Sequence, residues 1–147
     1  MSRPLTRRQI FMRFESTVEI KASPKSVWTA VHDPAEWPAW IPSVRKIEQL
    51  TVGPLGVGTR LRIKVRSGFY VTLHMTITEF LPGERVVMEG RVLGTRLTRW
   101  YRLEGAEGCT RAIAGGDVSG LLSCFVCRRG QKLSDEITRS FKKRVEG

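Results

Sequence analysis

Residues 22–44 read Ala-Ser-Pro-Lys-Ser-Val-Trp-Thr-Ala-Val-His-Asp-Pro-Ala-Glu-Trp-Pro-Ala-Trp-Ile-Pro-Ser-Val, and they interrupt a chain that otherwise alternates like a sheet. Ser23 is a good N-cap, and Pro24 takes the first helical position, where a missing N–H costs nothing. A short helix is therefore predicted from Pro24, with Val27, Trp28 and Val31 on one face. It stops at Asp33-Pro34, because the residue before a proline is pushed out of the helical region. Asp33 then caps a second element, with Glu36 three residues on as a capping box requires and Pro38 limiting it to about a turn or two. Trp37, Trp40 and Ile41 crowd its end.

The flanking segments have a period of two. Over residues 59–66, Leu61, Ile63 and Val65 alternate with Arg60, Arg62, Lys64 and Arg66, the pattern of a half-buried antiparallel strand. Val71, Leu73, Met75 and Ile77 repeat it opposite Thr72, His74, Thr76 and Thr78, and Phe14, Ser16, Val18 and Ile20 do so more weakly. Residues 43–51, 84–92, 95–104 and 109–118 supply further strands between glycine-rich turns, giving seven in all. The C-terminal segment changes period: Leu133, Ile137 and Phe141 are spaced by four among charged residues, so an amphipathic helix lies on the sheet. Upstream, Leu121, Leu122, Phe125 and Val126 form a second apolar patch, read as a loop or short helix with a bend near Gly130.

Two small helices inserted after a first strand, carried by the "ASP-x-x-VW" and "DP-x-x-WP-x-W-x-P-x-V" patterns of Ala22–Trp28 and Asp33–Val44, resemble the SRPBCC (START-like, helix-grip) superfamily of polyketide cyclases/dehydrases and lipid carriers. Gly53-Pro54 with residues 56–58, the Thr78–Gly83 turn and Gly108–Arg111 extend the resemblance over roughly residues 11–145. It implies an α+β helix-grip fold, with a curved seven-stranded antiparallel sheet around a long C-terminal helix and two short helices between strands 1 and 2. It also implies a cavity between sheet and helix. From the strand faces, the wall of that cavity is expected to be Leu61, Ile63, Val65, Leu73, Met75 and Ile77, with Trp40 at the mouth and Phe125, Leu133 and Ile137 from the helix. Such a lining suits an apolar small molecule, although each residue is also what a plain core requires. Val27 and Trp28 are assigned to the core, while Trp37 and Trp40 either rim a pocket or cover it.

Composition fits one domain over residues 11–147 behind a basic tail, residues 1–10. The tail lacks the apolar stretch of a signal peptide and no run is long enough to span a bilayer, so a cytoplasmic protein is expected. Cys124 and Cys127 form a lone C-x-x-C, and with Cys109 they give an odd count that argues against a disulfide framework. No second ligand pair exists at metal-site spacing, so no metal or cofactor is expected. His32 sits at a helix terminus and His74 on a solvated strand face, which leaves no acyl-transfer arrangement.

The formal net charge of +11 is compatible with anionic membranes, nucleic acid or acidic ligands. Two clusters carry it: the outward row Arg60, Arg62, Lys64 and Arg66, and a group of Arg91, Arg96, Arg99, Arg102 and Arg111 on neighbouring strands. Only Trp100 and Tyr101 interleave with them as stacking partners for bases, which favours a solvated surface or lipid headgroups over nucleic acid. The expected function is carriage or sequestration of a hydrophobic lipid, polyketide or aromatic compound. The alternatives are a cyclase/dehydrase-like enzyme, with Arg99 and Tyr101 (or Tyr70) polarising a ketone, and a basic nucleic-acid or ribosome-interaction module.

Overall fold

The structure, a computed structural model, describes residues 12–106 and 108–147; the basic tail expected over residues 1–10 lies outside them. β1 (Met12–Ile20) leads into α1 (Pro24–Val31), a 3₁₀ turn (Pro34–Glu36) and the one-turn α2 (Trp37–Trp40). Then follow β2 (Val44–Gln49), β3 (Arg60–Arg66), β4 (Tyr70–Leu81), β5 (Arg85–Val92), β6 (Thr95–Ala106), β7 (Cys109–Ser119) and the long α3 (Ser123–Glu146). All neighbouring strands pair antiparallel in the order β1-β7-β6-β5-β4-β3-β2, so the first strand reaches the last across one connection and the others form a meander. This is the α+β helix-grip architecture, and among the described residues no helix is long and apolar enough to cross a membrane.

The helix starts follow their caps. Ser23 Oγ accepts from the Ser26 N–H at 3.2 Å, and Asp33 Oδ1 accepts from the Ala35 N–H at 3.0 Å, each satisfying a donor that the first turn leaves free. The capping box at Asp33 does not close as expected: the Glu36 carboxylate lies 3.7 Å from the Arg144 guanidinium and ties the 3₁₀ turn to α3. Side-chain parity in the strands is as the alternation requires, with a bulge between Ile77 and Glu79 that returns Phe80 to the inner face.

The backbone of α3 comes nearest to the sheet along β1 and β7. Glycines permit this. A Cβ on Gly130 of α3 would lie 2.5 Å from Phe14 Cζ, and one on Gly116 of β7 would lie 2.7 Å from the same atom. The ring of Phe14, only 2 % exposed, therefore fills the space that two missing side chains leave. The bend expected near Gly130 is absent; α3 runs unbroken from Ser123 to Glu146, and the glycine is a point of close approach within it. Further along the same line, Ser16 Oγ and Thr138 Oγ1 hydrogen-bond at 2.9 Å, and Lys142 Nζ donates to the Glu19 carbonyl at 2.7 Å.

Candidate ligand cavity

The helix packs on one side of the sheet while β3, β4 and β5 curve away from it, and an apolar cavity of about 140 Å³ lies in the gap. Its floor is the inner face of those strands: Ile63 and Val65 of β3, Leu73, Met75 and Ile77 of β4, and Val86 and Met88 of β5. Its roof is Phe125, Leu133, Ile137 and Phe141 of α3. At one end stand the turns carrying Phe69 and Leu93 and the first turn of α3, where the rings of Phe69 and Phe125 stack at 5.9 Å and Arg129 lies over both. At the other end stand Trp28, His32 and Pro34 together with Leu55, Phe80 and Glu84. Trp28 and Phe80 meet there edge to face at 6.1 Å.

Eight of the ten residues expected in the wall line this space: Ile63, Val65, Leu73, Met75, Ile77, Phe125, Leu133 and Ile137. Two do not. Leu61 is 2 % exposed and packs in the core, although its cross-strand partner Met75 lines the cavity. Trp40 lies outside the cavity beside the C-terminal part of α3, with its ring against Phe141 and beneath the Arg144 guanidinium at 5.4 Å. Trp37 takes the interior place instead: its indole N–H donates to the Val31 carbonyl at 2.8 Å, and its ring meets Tyr101 and Phe141 at 5.3 and 5.4 Å. Trp28, assigned to the core, is half-buried and belongs to the rim.

Polar groups in the cavity are few, and β6 supplies the principal ones. Leu97, Arg99, Tyr101 and Leu103 all face inward, so Arg99 is not part of an outer basic cluster. It is 5 % exposed, its guanidinium stands over the rings of Phe14 and Tyr101 at 5.2 and 5.4 Å, and Nη2 donates to Tyr101 Oη at 3.3 Å. The rest of the expected cluster divides. Arg91 and Arg96 are exposed and directly opposed across β5 and β6, whereas Arg102 and Arg111 lie near Glu104 at 3.8 and 3.9 Å. Arg60, Arg62, Lys64 and Arg66 do lie exposed on the outer face. The alternation of β6 itself carried the signal for Arg99, since it shares parity with Leu97 and Leu103.

The remaining reactive types are quiet. His74 is exposed, and His32 Nδ1 lies 3.1 Å from the Thr29 carbonyl, a local helix-end contact. Cys109, Cys124 and Cys127 are free thiols; burial, and secondarily the neighbouring Cys124, push the Cys127 thiol up from its ordinary value, away from a reactive thiolate. Among the described residues, no three His, Cys, Asp or Glu side chains gather as metal ligands.

A sheet closed on one side by a helix and held open on the other defines a helix-grip protein with an internal apolar cavity. Residues 12–146 match the model of the polyketide cyclase/dehydrase and lipid transport family, and the chain belongs to that family. Among solved structures it is similar to the Zhui aromatase/cyclase from Streptomyces sp. R1128, 15 % identical with a TM-score of 0.78 over 93 % of this chain and 94 % of that one. It is similar also to a START superfamily protein from Mycobacterium smegmatis, 16 % identical with a TM-score of 0.75 over 91 % and 97 % of the two chains. Uncharacterized proteins of Mycobacterium tuberculosis and Mycobacterium bovis are 29 % identical over 55 residues, which is 37 % of this chain and 33 % of theirs.

Proposed function

We propose that the protein binds a hydrophobic small molecule, of lipid, polyketide or aromatic kind, in the cavity between α3 and the sheet and carries or sequesters it. The observation that supports this most is the unfilled apolar gap of about 140 Å³. Interiors are close-packed, and an apolar void near 150 Å³ is one that stays dry and takes up a benzene-sized guest, so the gap suits occupation better than water. Larger guests are reached by displacing the half-exposed Phe69 and Phe125 at one end. The free thiols fit a reducing, cytoplasmic setting. Native mass spectrometry of protein purified from its host, with displacement of the neutral fluorophore N-phenyl-1-naphthylamine, tests the reading. A co-purifying apolar molecule and probe uptake are expected; absence of both sinks it.

A cyclase/dehydrase-like activity is the second reading, supported by Arg99 and Tyr101 lying in contact on the cavity wall, where two donors polarise a guest's carbonyl. Turnover of a poly-β-ketone surrogate, abolished in Arg99→Met, is its expected mark. For delivery of the guest we assign a transient contact with anionic membrane surface to the Phe69/Phe125 end, where Leu121 (96 % exposed), Leu122 and Leu93 project beside Arg128 and Arg129. Co-flotation with phosphatidylglycerol vesicles, weakened by Leu121→Glu and by salt, is expected; indifference to both counts against it. Nucleic-acid binding is less favoured, because Trp100 is buried under Arg13, which leaves the exposed Tyr70, with Lys64 and Arg66 against its ring, where a base-binding face needs several stacking partners.

A further inference from the structure

Arg99 is a buried cation without a counter-charge. Among the described residues no carboxylate lies within ion-pairing distance of it, and its side-chain hydrogen bond is the one to Tyr101 Oη. Among the described residues the sole carboxylate on the cavity wall is Glu84, which is exposed at the β4–β5 turn. Midway along β6, Arg99 pairs with Met88 on one side and Gly116 on the other, so its backbone is fixed in the sheet and its head cannot reach that rim. The rings of Phe14 and Tyr101 hold the guanidinium by cation–π contact, which orients it but leaves N–H groups to be satisfied. Guanidinium cannot shed its proton, so the usual escape of a buried ionisable group is closed to it.

We infer that the cavity takes an anionic amphiphile, a monocarboxylic acid with a compact alkyl or aromatic body, whose carboxylate docks on Arg99 and Tyr101. The inference rests on the ligand-binding reading above and names the class of its guest. A carboxylate offers two acceptor oxygens: one receives guanidinium N–H groups, and the other receives the Tyr101 O–H, which is free to donate because its oxygen accepts from Arg99. The remainder of the guest lies against Leu73, Met88 and Leu133, where no polar group competes for it. Charge and apolar body are thus sorted along one molecule, with its head at the middle of the sheet and its tail toward an end.

Isothermal titration of the full chain with octanoate and with 1-octanol, matched in tail and differing in head, tests this. Hydrogen bonds to a charged partner predict that octanoate binds roughly ten- to a hundredfold more tightly than octanol. In Arg99→Met that preference is expected to vanish, in Tyr101→Phe to fall a few-fold, and in the surface variant Arg111→Met to persist. Octanol bound as tightly as octanoate by the unmodified protein overturns the anion assignment and leaves the cavity reading standing. Failure of both to bind overturns the two together. Because the acid-to-alcohol ratio is read on unmodified protein, it decides the matter even where Arg99→Met does not fold.

Discussion

The seam between α3 and the sheet is closed on one side and open on the other. Along β1 and β7 the helix comes close enough for Phe14 to sit between Gly116 and Gly130, and for Ser16 and Thr138 to share a hydrogen bond. Along β3 to β5 the inward side chains are mostly large and apolar, yet the helix is too far away to fill the space between them. Apolar composition therefore does not tell core from cavity. Small residues do, because they fix where two backbones meet, and everything opposite that line is held apart by the curvature of the sheet.

The comparison breaks most severely at Phe14. Phe14→Ala removes the ring that the two glycines receive, and urea denaturation is expected to show a loss of about 3–5 kcal/mol. A loss below about 1 kcal/mol is outside the range for a buried ring and means that the closed side is not packed as described.

Neighbours on one strand sharpen it next. Leu61 and Ile63 share a face of β3, but Leu61 is enclosed and Ile63 borders the gap. Leu61→Ala is expected to cost about 2–4 kcal/mol, and Ile63→Ala about half that or less because it enlarges a space already present. Ile63→Ala also widens the range of apolar guests taken up, which probe titration reads directly. Equal costs contradict a boundary between the two.

Gly130→Ala sets two effects against each other. In an exposed helix the change stabilises by about 1 kcal/mol, whereas here the new methyl group meets Phe14, and overpacking of this kind costs about 1–3 kcal/mol. The clash is expected to win, with a lowered thermal midpoint; a raised one means the seam has slack.

The smallest effect lies at the far end of the closed side. The Glu146 carboxylate is held below the ordinary carboxylate range first by the Lys142 ammonium at 2.9 Å and then by the Lys21 N–H at 2.8 Å. A depressed value means a contribution present above the unfolded carboxylate's value, about 4.3, and lost as pH falls through the lower folded one. Glu146→Gln is therefore expected to be slightly less stable near neutral pH, with the difference fading on acidification. A difference that grows on acidification reverses the sign and removes the tether.

Much of the frame was legible along the chain. Ser23-Pro24 and Asp33-Pro34 marked the two helix starts through local capping, and the alternation at residues 59–66 and 71–77 placed each side chain on its observed face. Trp37 and Trp40 were not separable, since an element of four residues has no period, and an indole hydrogen bond to Val31 decides which ring turns inward. Gly130 looked like a joint because its role depends on Phe14, far away in sequence. Arg99 was grouped with surface arginines by charge, although the parity of β6 pointed inward.

What the sequence determined by itself is everything set by contacts between near neighbours: caps, strand faces and the amphipathic stripe of α3; the helix-grip arrangement came from the resemblance of its motifs to a known family. Only the tertiary structure decided that Phe14 seats under Gly130, that Leu61 is core while Ile63 is wall, and that Arg99 faces an apolar cavity with no carboxylate at ion-pairing distance among the described residues. The reason is physical. Periodicity says which side of an element is apolar, but whether that side meets a partner or an empty space depends on the distance between elements, and no single segment encodes that distance.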